Sequence, residues 1–416
     1  MIDMKSTDII GLVDADLLDN GTRHPNLALL KLAGYLRDNN IKYELITDQF
    51  IDIRHYSKIY LSRVFTFTKL PFFFTEACEK HPKLFKQKIR VGGTGWYATE
   101  DNTTKFLKDR QEDFNRLEND PDLKGLNMRT QMPDYNLYTN YVNDQISKGI
   151  KKRIYYKDYL DYSIGFLTRG CFRQCPFCVN RLETKIYQYS SLEDFVDPSK
   201  PYIYLWDDNF LGAPKKIWKE GLEKLIATNK PFQFRQGLDI RLMTDEKAEL
   251  LSKAKYHGDM IFAFDNWKDR NTIEKHLKIW KKHCPRKTTK FYLFCGFELT
   301  PDDDEKVYKD ICEIFWRIRI LMKYGCLGYV MRHEDYHKHR LSNIYVQIAR
   351  WCNQPQFYKK MSFHDFILKN QDYIKTPGKK CMSLKTYETF MSTFKHHKEE
   401  LEDLFNNIRY EDLNEY

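Results

Sequence analysis

Between Ser163 and Met331 one pattern recurs six times: a short apolar run with strand character, then a longer stretch with helical periodicity or a helix-capping signal. The strand candidates are Ser163–Thr168, Tyr202–Trp206, Phe232–Gln236, Met260–Phe264, Lys290–Cys295 and Leu327–Met331. Tight hairpins cannot join strands that are separated by helices. Parallel neighbours linked by crossovers can, so the alternation predicts a partial (β/α)6 barrel. Helix punctuation agrees with this count. Ser190-Ser191-Leu192-Glu193 reads as a capping box, and Pro214 opens a stretch with Ile217, Trp218, Leu222, Leu225 and Ile226 on one face. Gly258 can end the helix after Thr244. Thr300-Pro301-Asp302-Asp303 combines an N-cap, a first-turn proline and acids at the positive dipole end. That helix should bury Val307, Ile311, Ile314, Phe315, Ile318 and Met322.

The N-terminal segment has its own alternation. Strand character appears at Asp8–Asp14, Ile41–Thr47, Lys58–Thr66 and Lys88–Val91, and a helix is predicted over Asn26–Asp38 with Leu29, Leu32, Ala33 and Leu36 on one face. This predicts an α/β domain with a doubly wound parallel sheet, Rossmann-like, over 1–135. Ligands in such sheets sit at the carboxyl ends of strands, which makes Asp14, Asp16, Asp19 and the turn Gly92-Gly93-Thr94-Gly95 candidates. The plainer reading is that the aspartates cap a loop and the glycines turn the chain. Residues 100–162 are polar, aromatic and irregular, with 136–162 as a connector. The barrel is expected over 163–335 and a small helical C-terminal region over 336–416, including Asn343–Trp351 and Ser362–Leu368.

Composition narrows the class. The 416 residues allow two or three domains at roughly 150 each. With 42% hydrophobic and 30% charged residues the chain is globular rather than disordered. No apolar run approaches the ~18 residues of a membrane span, and Met1–Val13 carries Asp3, Lys5 and Asp8 where a signal peptide needs an apolar core. The 10 cysteines are therefore expected as thiols in a cytoplasmic, reduced chain. A net charge of +10 is partly localised: Lys268–Lys290 holds nine basic and two acidic residues, and Lys395–Tyr416 three basic and seven acidic. A basic stretch of this kind suits a nucleic-acid surface or simply a solvated outer helix.

Three cysteines fall in one loop directly after the first barrel strand: Gly170-Cys171-Phe172-Arg173-Gln174-Cys175-Pro176-Phe177-Cys178. Cys171, Cys175 and Cys178 can converge on one face of a metal centre. Arg169, Arg173 and Arg181 flank them, and no acid appears until Glu183, a setting that should lower the thiol pKa values and offset anionic charge. Structural zinc needs four protein ligands, and no second Cys-x2-Cys or His-x3-His lies nearby. Three ligands suit an iron–sulfur cluster with one open iron; zinc, another metal and a purely structural role are the alternatives.

In this spacing, with the aromatic Phe177 before the third cysteine, the segment Ser163 to about Arg332 resembles the radical S-adenosylmethionine (radical SAM) superfamily. The resemblance implies a 4Fe-4S cluster on Cys171, Cys175 and Cys178. It further implies S-adenosyl-L-methionine (SAM) on the fourth iron, and reductive cleavage to a radical that abstracts hydrogen from a substrate. A reductase, flavodoxin or ferredoxin would supply the electron; the substrate, a small molecule, peptide or nucleic acid, is not identified. By position, Asp207, Asp208 and Asn209 after strand two match the family's site for the SAM amino group. Gln236, Asp239 and Arg241 follow strand three, and Asp265 follows strand four where a polar residue meets ribose. Gly296 is similar to the glycine that admits adenine. Cys295 beside it is a candidate to carry a proton or hydrogen atom, or a small buried residue.

The preceding sheet domain resembles a cobalamin-binding architecture through Pro25–Leu36 and Val91-Gly92-Gly93, although no Asp-x-His-x2-Gly is present. A cobalamin-dependent radical SAM methyltransferase is thus a second reading. Substrate docking by Asp14, Asp16, Arg23 and His24 is another role for that domain. Methylthiotransferases share the loop and the strand-two acids but need three more N-terminal cysteines, and only Cys78 precedes Cys171. His333, His337 and His339 read as surface or capping residues. A reading from a different class is a zinc- or cluster-stabilised nucleic-acid-binding module using Lys268–Lys290.

Overall fold

A computed structural model describes residues 9–96, 120–180, 183–374, 376 and 378–416. Asp8, Arg181 and residues 100–119 of the irregular stretch lie outside the described residues. The chain is α/β with parallel sheets and divides into two units: Met1–Arg169 with Tyr187–Trp206, and Gly170–Ile186 with Asp207–Tyr416.

In the first unit, β1 (Ile9–Asp14), β2 (Tyr43–Leu45), β3 (Tyr56–Ser62) and β4 (Ile89–Gly92) form one sheet in the order β2-β1-β3-β4. Every pair is parallel. Strand side chains alternate between faces, and the core follows that alternation. Ile10, Leu12 and Tyr60 pack under the helix Leu27–Asp38, while Val13, Ile59 and Leu61 pack with Phe73, Phe74 and Ala77 of the helix Phe72–Lys80. Both faces are covered, as a doubly wound sheet requires. The expected helix begins one residue late because Asn26 is its N-cap, with Oδ1 accepting from Leu29 N at 3.2 Å. This unit also contains the parallel pair β5 (Tyr162–Gly165) and β8 (Tyr202–Leu205), and the short antiparallel pair β6 (Thr168–Arg169) and β7 (Tyr187–Gln188). Ser163–Thr168 was expected as one strand and is two, β5 and β6.

The second unit carries β9 (Phe232–Phe234), β10 (Met260–Ala263), β11 (Thr289–Cys295) and β12 (Leu327–Arg332). The last three form a parallel sheet in sequence order. Bridges Phe232↔Tyr256 and Leu238↔Phe262 run parallel beside it. Helices Lys215–Ala227, Asp245–Lys253, Arg270–His283 and Asp304–Lys323 occupy the crossovers, and the six apolar residues expected inside the last of these are fully buried. Two boundaries differ from expectation. Asp303 rather than Thr300 caps Asp304–Lys323, because its carboxylate reaches Lys306 N at 2.9 Å. The helix after Thr244 ends at Lys253, so Gly258, at φ +68°, serves the following turn instead. Helices Asn343–Cys352, Phe363–Asp372, Met382–Thr393 and Lys398–Asn407 form the C-terminal region. Among the described residues no helix is long and apolar enough to cross a membrane.

Candidate functional site

The cysteine loop begins at Gly170, whose φ of +94° only glycine adopts without strain; a Cβ there would collide with the Lys185 carbonyl oxygen. Its N–H donates to Asp208 Oδ2 at 2.8 Å, and Cys171 N donates to Glu183 O at 2.8 Å. Both bonds anchor the start of the loop. Gln174, at φ +48°, reverses the chain between the first two cysteines, and Cys178 N closes the end of the loop on Cys175 O at 2.9 Å. The ten cysteines are all thiols, and those of this loop are half-buried.

Each outer sulfur faces N–H donors. Cys171 Sγ accepts from Arg173 N and from Asn209 Nδ2, both at 3.4 Å, and Cys178 Sγ accepts from Asn180 N at 3.4 Å. Among the described residues no group of three His, Cys, Asp or Glu is gathered into a metal-holding set. Nor is the middle thiol acidified, contrary to the expectation from the flanking arginines. Burial first, and then the charge of Asp265, push the Cys175 thiol up, with Arg241 opposing. Arg169 lies over the Phe166 ring, and Arg173 is engaged by Asp239.

The strand-end residues divide by role. Asp207 and Asn209 are buried; Asp208 holds Gly170 and Asn209 holds Cys171. The buried Asn209 Oδ1 and Asn180 Nδ2, flanking the two outer cysteines, find no hydrogen-bond partner among the described residues. Asp239 accepts four N–H bonds: Arg173 Nε at 2.7 Å, and Arg241 N, Nε and Nη2 at 3.2, 2.7 and 3.1 Å. Burial alone would raise its carboxyl, but Arg241 and Arg173 outweigh burial and hold it below the usual range. Arg241 then reaches Asp269 Oδ2 at 2.6 Å. Gln236 is exposed, two residues past β9. Asp265, after β10, is pushed up to about 6 by burial, against the pull of Arg317 and Arg241.

Phe177 stacks on Phe294 at 3.8 Å between ring centroids and meets Phe297 edge-on at 6.1 Å. His333 packs edge-on against both Phe294 and Phe297. Gly296, at φ +75°, is approached by Tyr336, whose Cβ lies 2.7 Å from where a glycine Cβ would be. Its N–H donates to Asp310 at 2.7 Å. Cys295 is buried with Sγ 3.6 Å from Met331 O, and burial followed by the Asp310 charge push its thiol well up, which keeps it neutral. His333 and His339 cap turns, accepting from Asp335 N and Leu341 N.

One residue escaped the sequence reading. Arg317, fully buried on Asp304–Lys323, donates Nη1 to the carbonyls of Phe264, Asp265 and Phe294 at 2.8, 3.1 and 3.0 Å. It ties together the carboxyl ends of β10 and β11. The available signal was a cation on the helix face that carries Ile314 and Leu321.

The first unit closes its own switch point, the crevice between β1 and β3. Asp14 ends β1 and Ser62 ends β3; Asn26 Nδ2 donates to Ser62 at 2.7 Å, and Asn26 N to Tyr138 Oη at 3.2 Å. Asp14 caps the short helix Ala15–Asn20. Asp16 accepts from Val64 N and Phe65 N at 2.7 and 3.2 Å and from the Thr68 hydroxyl, and Asp19 from Lys69 N at 3.1 Å. His24 pairs with Asp158, and Arg23 lies over Tyr155. A Cβ at Gly93 would collide with the Arg63 carbonyl, so the glycine turn packs on backbone. With Tyr138 and Asn26 filling the strand ends, these residues do not fit a cobalamin.

The basic stretch is engaged in part. Lys281 is buried, Lys282 and His283 pair with Asp245, Lys287 donates to Tyr256 O, and Lys290 pairs with Asp259. Lys268, Lys275, Lys278, Lys282 and Arg286 of the same stretch are exposed. No family model matches the chain, and no curated protein matches it.

Proposed function

We propose that the chain is a radical SAM enzyme in which Cys171, Cys175 and Cys178 hold a 4Fe-4S cluster. The observation that carries this reading is the support built around one three-cysteine loop: Asp208 bonds its first residue, Asn209 bonds its first sulfur, and Asp239 bonds its arginine. The donor set fits the group. Three thiols share one loop, N–H donors face two of the sulfurs, and unpartnered buried amide atoms flank them; holding the cluster requires the loop to draw its sulfurs together. The reading takes the expected partial (β/α)6 barrel with it, supported by the parallel pairings β5–β8 and β10–β11–β12.

When bound, cluster and SAM supply reductive cleavage and hydrogen-atom abstraction, chemistry that belongs to the cofactor. The chain's own work is placement. Asp208 and Asn209 fix the loop entrance, and the Phe177–Phe294–Phe297 stack gives the loop an apolar backing that keeps water away. Arg317 stiffens the ends of β10 and β11, from which Asp265 projects. A reductase, flavodoxin or ferredoxin is the implied electron donor. Anaerobic reconstitution should give about four irons per chain, and 5'-deoxyadenosine should form from SAM with dithionite. Retention of a normal cluster and full cleavage by Cys175→Ala would overturn the assignment.

A further inference from the structure

An ion pair links the cysteine loop to the rest of its unit. Arg173 stands two residues after Cys171 and two before Cys175, so fixing its side chain constrains the backbone of both. Its Nε donates to Asp239 Oδ2 at 2.7 Å, and the carboxylate side chain is 8% exposed. Asp239 is itself immobilised: it accepts the backbone N–H of Arg241 at 3.2 Å and is forked by that residue's guanidinium. Arg241 is held in turn by Asp269, beside the helix Arg270–His283. Charges alternate along Arg173, Asp239, Arg241 and Asp269, and each link is 2.6 or 2.7 Å. The four N–H bonds to Asp239 use both of its oxygens.

We propose that Arg173 and Asp239 form a latch that presents the cysteine loop for metal binding, Asp239 acting as a positioning residue through Arg173 and not as a cofactor ligand. The inference rests on the reading of Cys171, Cys175 and Cys178 as metal ligands. Outer residues that orient a metal-binding set typically cost ten- to a hundredfold in metal affinity when removed. Arg173→Ala is a clean probe, because Asp239 keeps Arg241 and no buried charge is stranded.

The test uses the full-length, fully reduced protein titrated with Cd2+ and followed by thiolate-to-metal charge-transfer absorbance. Wild type should take up Cd2+ in a manner that depends on Cys175. Arg173→Ala should bind it about tenfold more weakly at an unchanged thermal midpoint, and Arg173→Lys should recover most of the loss. Wild-type affinity in Arg173→Ala overturns the latch. If wild type shows no Cys175-dependent uptake, the metal reading fails, and thermolysin cleavage within residues 171–180 decides the latch separately. Cleavage about fivefold faster in Arg173→Ala sustains it as a loop anchor, and equal rates remove it.

Discussion

The Tyr138 hydroxyl donates to Oδ2 of Asp14 at 2.8 Å, joining a carboxylate at the end of β1 to a tyrosine more than a hundred residues away. Both groups are buried, and burial pushes the Asp14 carboxyl up to about 7 from 3.8, against the opposing pull of the Tyr138 bond. Because the folded value lies above the unfolded one, folding favours the protonated acid. That contribution is complete below about pH 4 and is lost as the pH rises to about 7. Asp14→Asn resembles the protonated acid: its one oxygen still accepts from Leu17 N, its amide nitrogen faces Tyr138 as a donor, and the charge is gone. It should match wild type near pH 4 and exceed it by roughly 3–5 kcal/mol above pH 7. Denaturant melts across that range check this; parallel pH profiles for the two proteins would refute it.

Arg317 spans three carbonyls on two strands, and nothing shorter can. Arg317→Ala should cost about 3–5 kcal/mol by leaving a cavity and unsatisfied carbonyls. Arg317→Lys, a single ammonium that cannot span all three, should fall between. Urea unfolding of the three proteins measures the order, and a loss below about 1 kcal/mol for the alanine variant would contradict the bridging role.

Gly170 combines a positive φ with a collision course for any side chain. Gly170→Ala should shift the loop entrance, break the Gly170–Asp208 bond and cost roughly 2 kcal/mol in strain. Iron loading should fall more sharply than thermal stability. Wild-type iron content in this variant would show that the entrance geometry is not required.

Asn209 places an amide donor on Cys171 Sγ at 3.4 Å. Hydrogen bonds to cluster sulfurs stabilise the reduced form and raise the reduction potential. Asn209→Ala should therefore still load iron but reduce at a more negative potential, as read by an EPR-monitored redox titration. An unchanged potential would mean that the amide serves the fold alone.

The strand and helix order was legible because it depends on local periodicity. Leu29, Leu32, Ala33 and Leu36 share a helical face wherever the helix sits, and the apolar run ending at Asp14 is a strand in any parallel sheet. Boundaries were less legible where several residues competed for one role: Thr300 and Asp303 could both cap, and the carboxylate that reached Lys306 N did so. Of the candidate site, the three cysteines and the nearby polar residues were visible as residues, but not their partners. Asp208, Asn209 and Asp239 looked like ligand contacts because each follows a strand. Their bonds to the cysteine loop depend on which strand ends meet. The close approach of Tyr336 to Gly296 is likewise a matter of tertiary packing.

From the sequence alone followed an α/β chain of parallel strands and one loop with three thiols, since strand period, helix period and cysteine spacing are properties of neighbouring residues. The tertiary structure decided where the buried charges go. Asp239 meets Arg173 across 66 positions, Arg317 reaches Phe264 across 53, and Tyr138 seals Asp14 across 124. A buried charge needs a partner, but which one it finds is set by the crossing of elements, information that no local pattern carries.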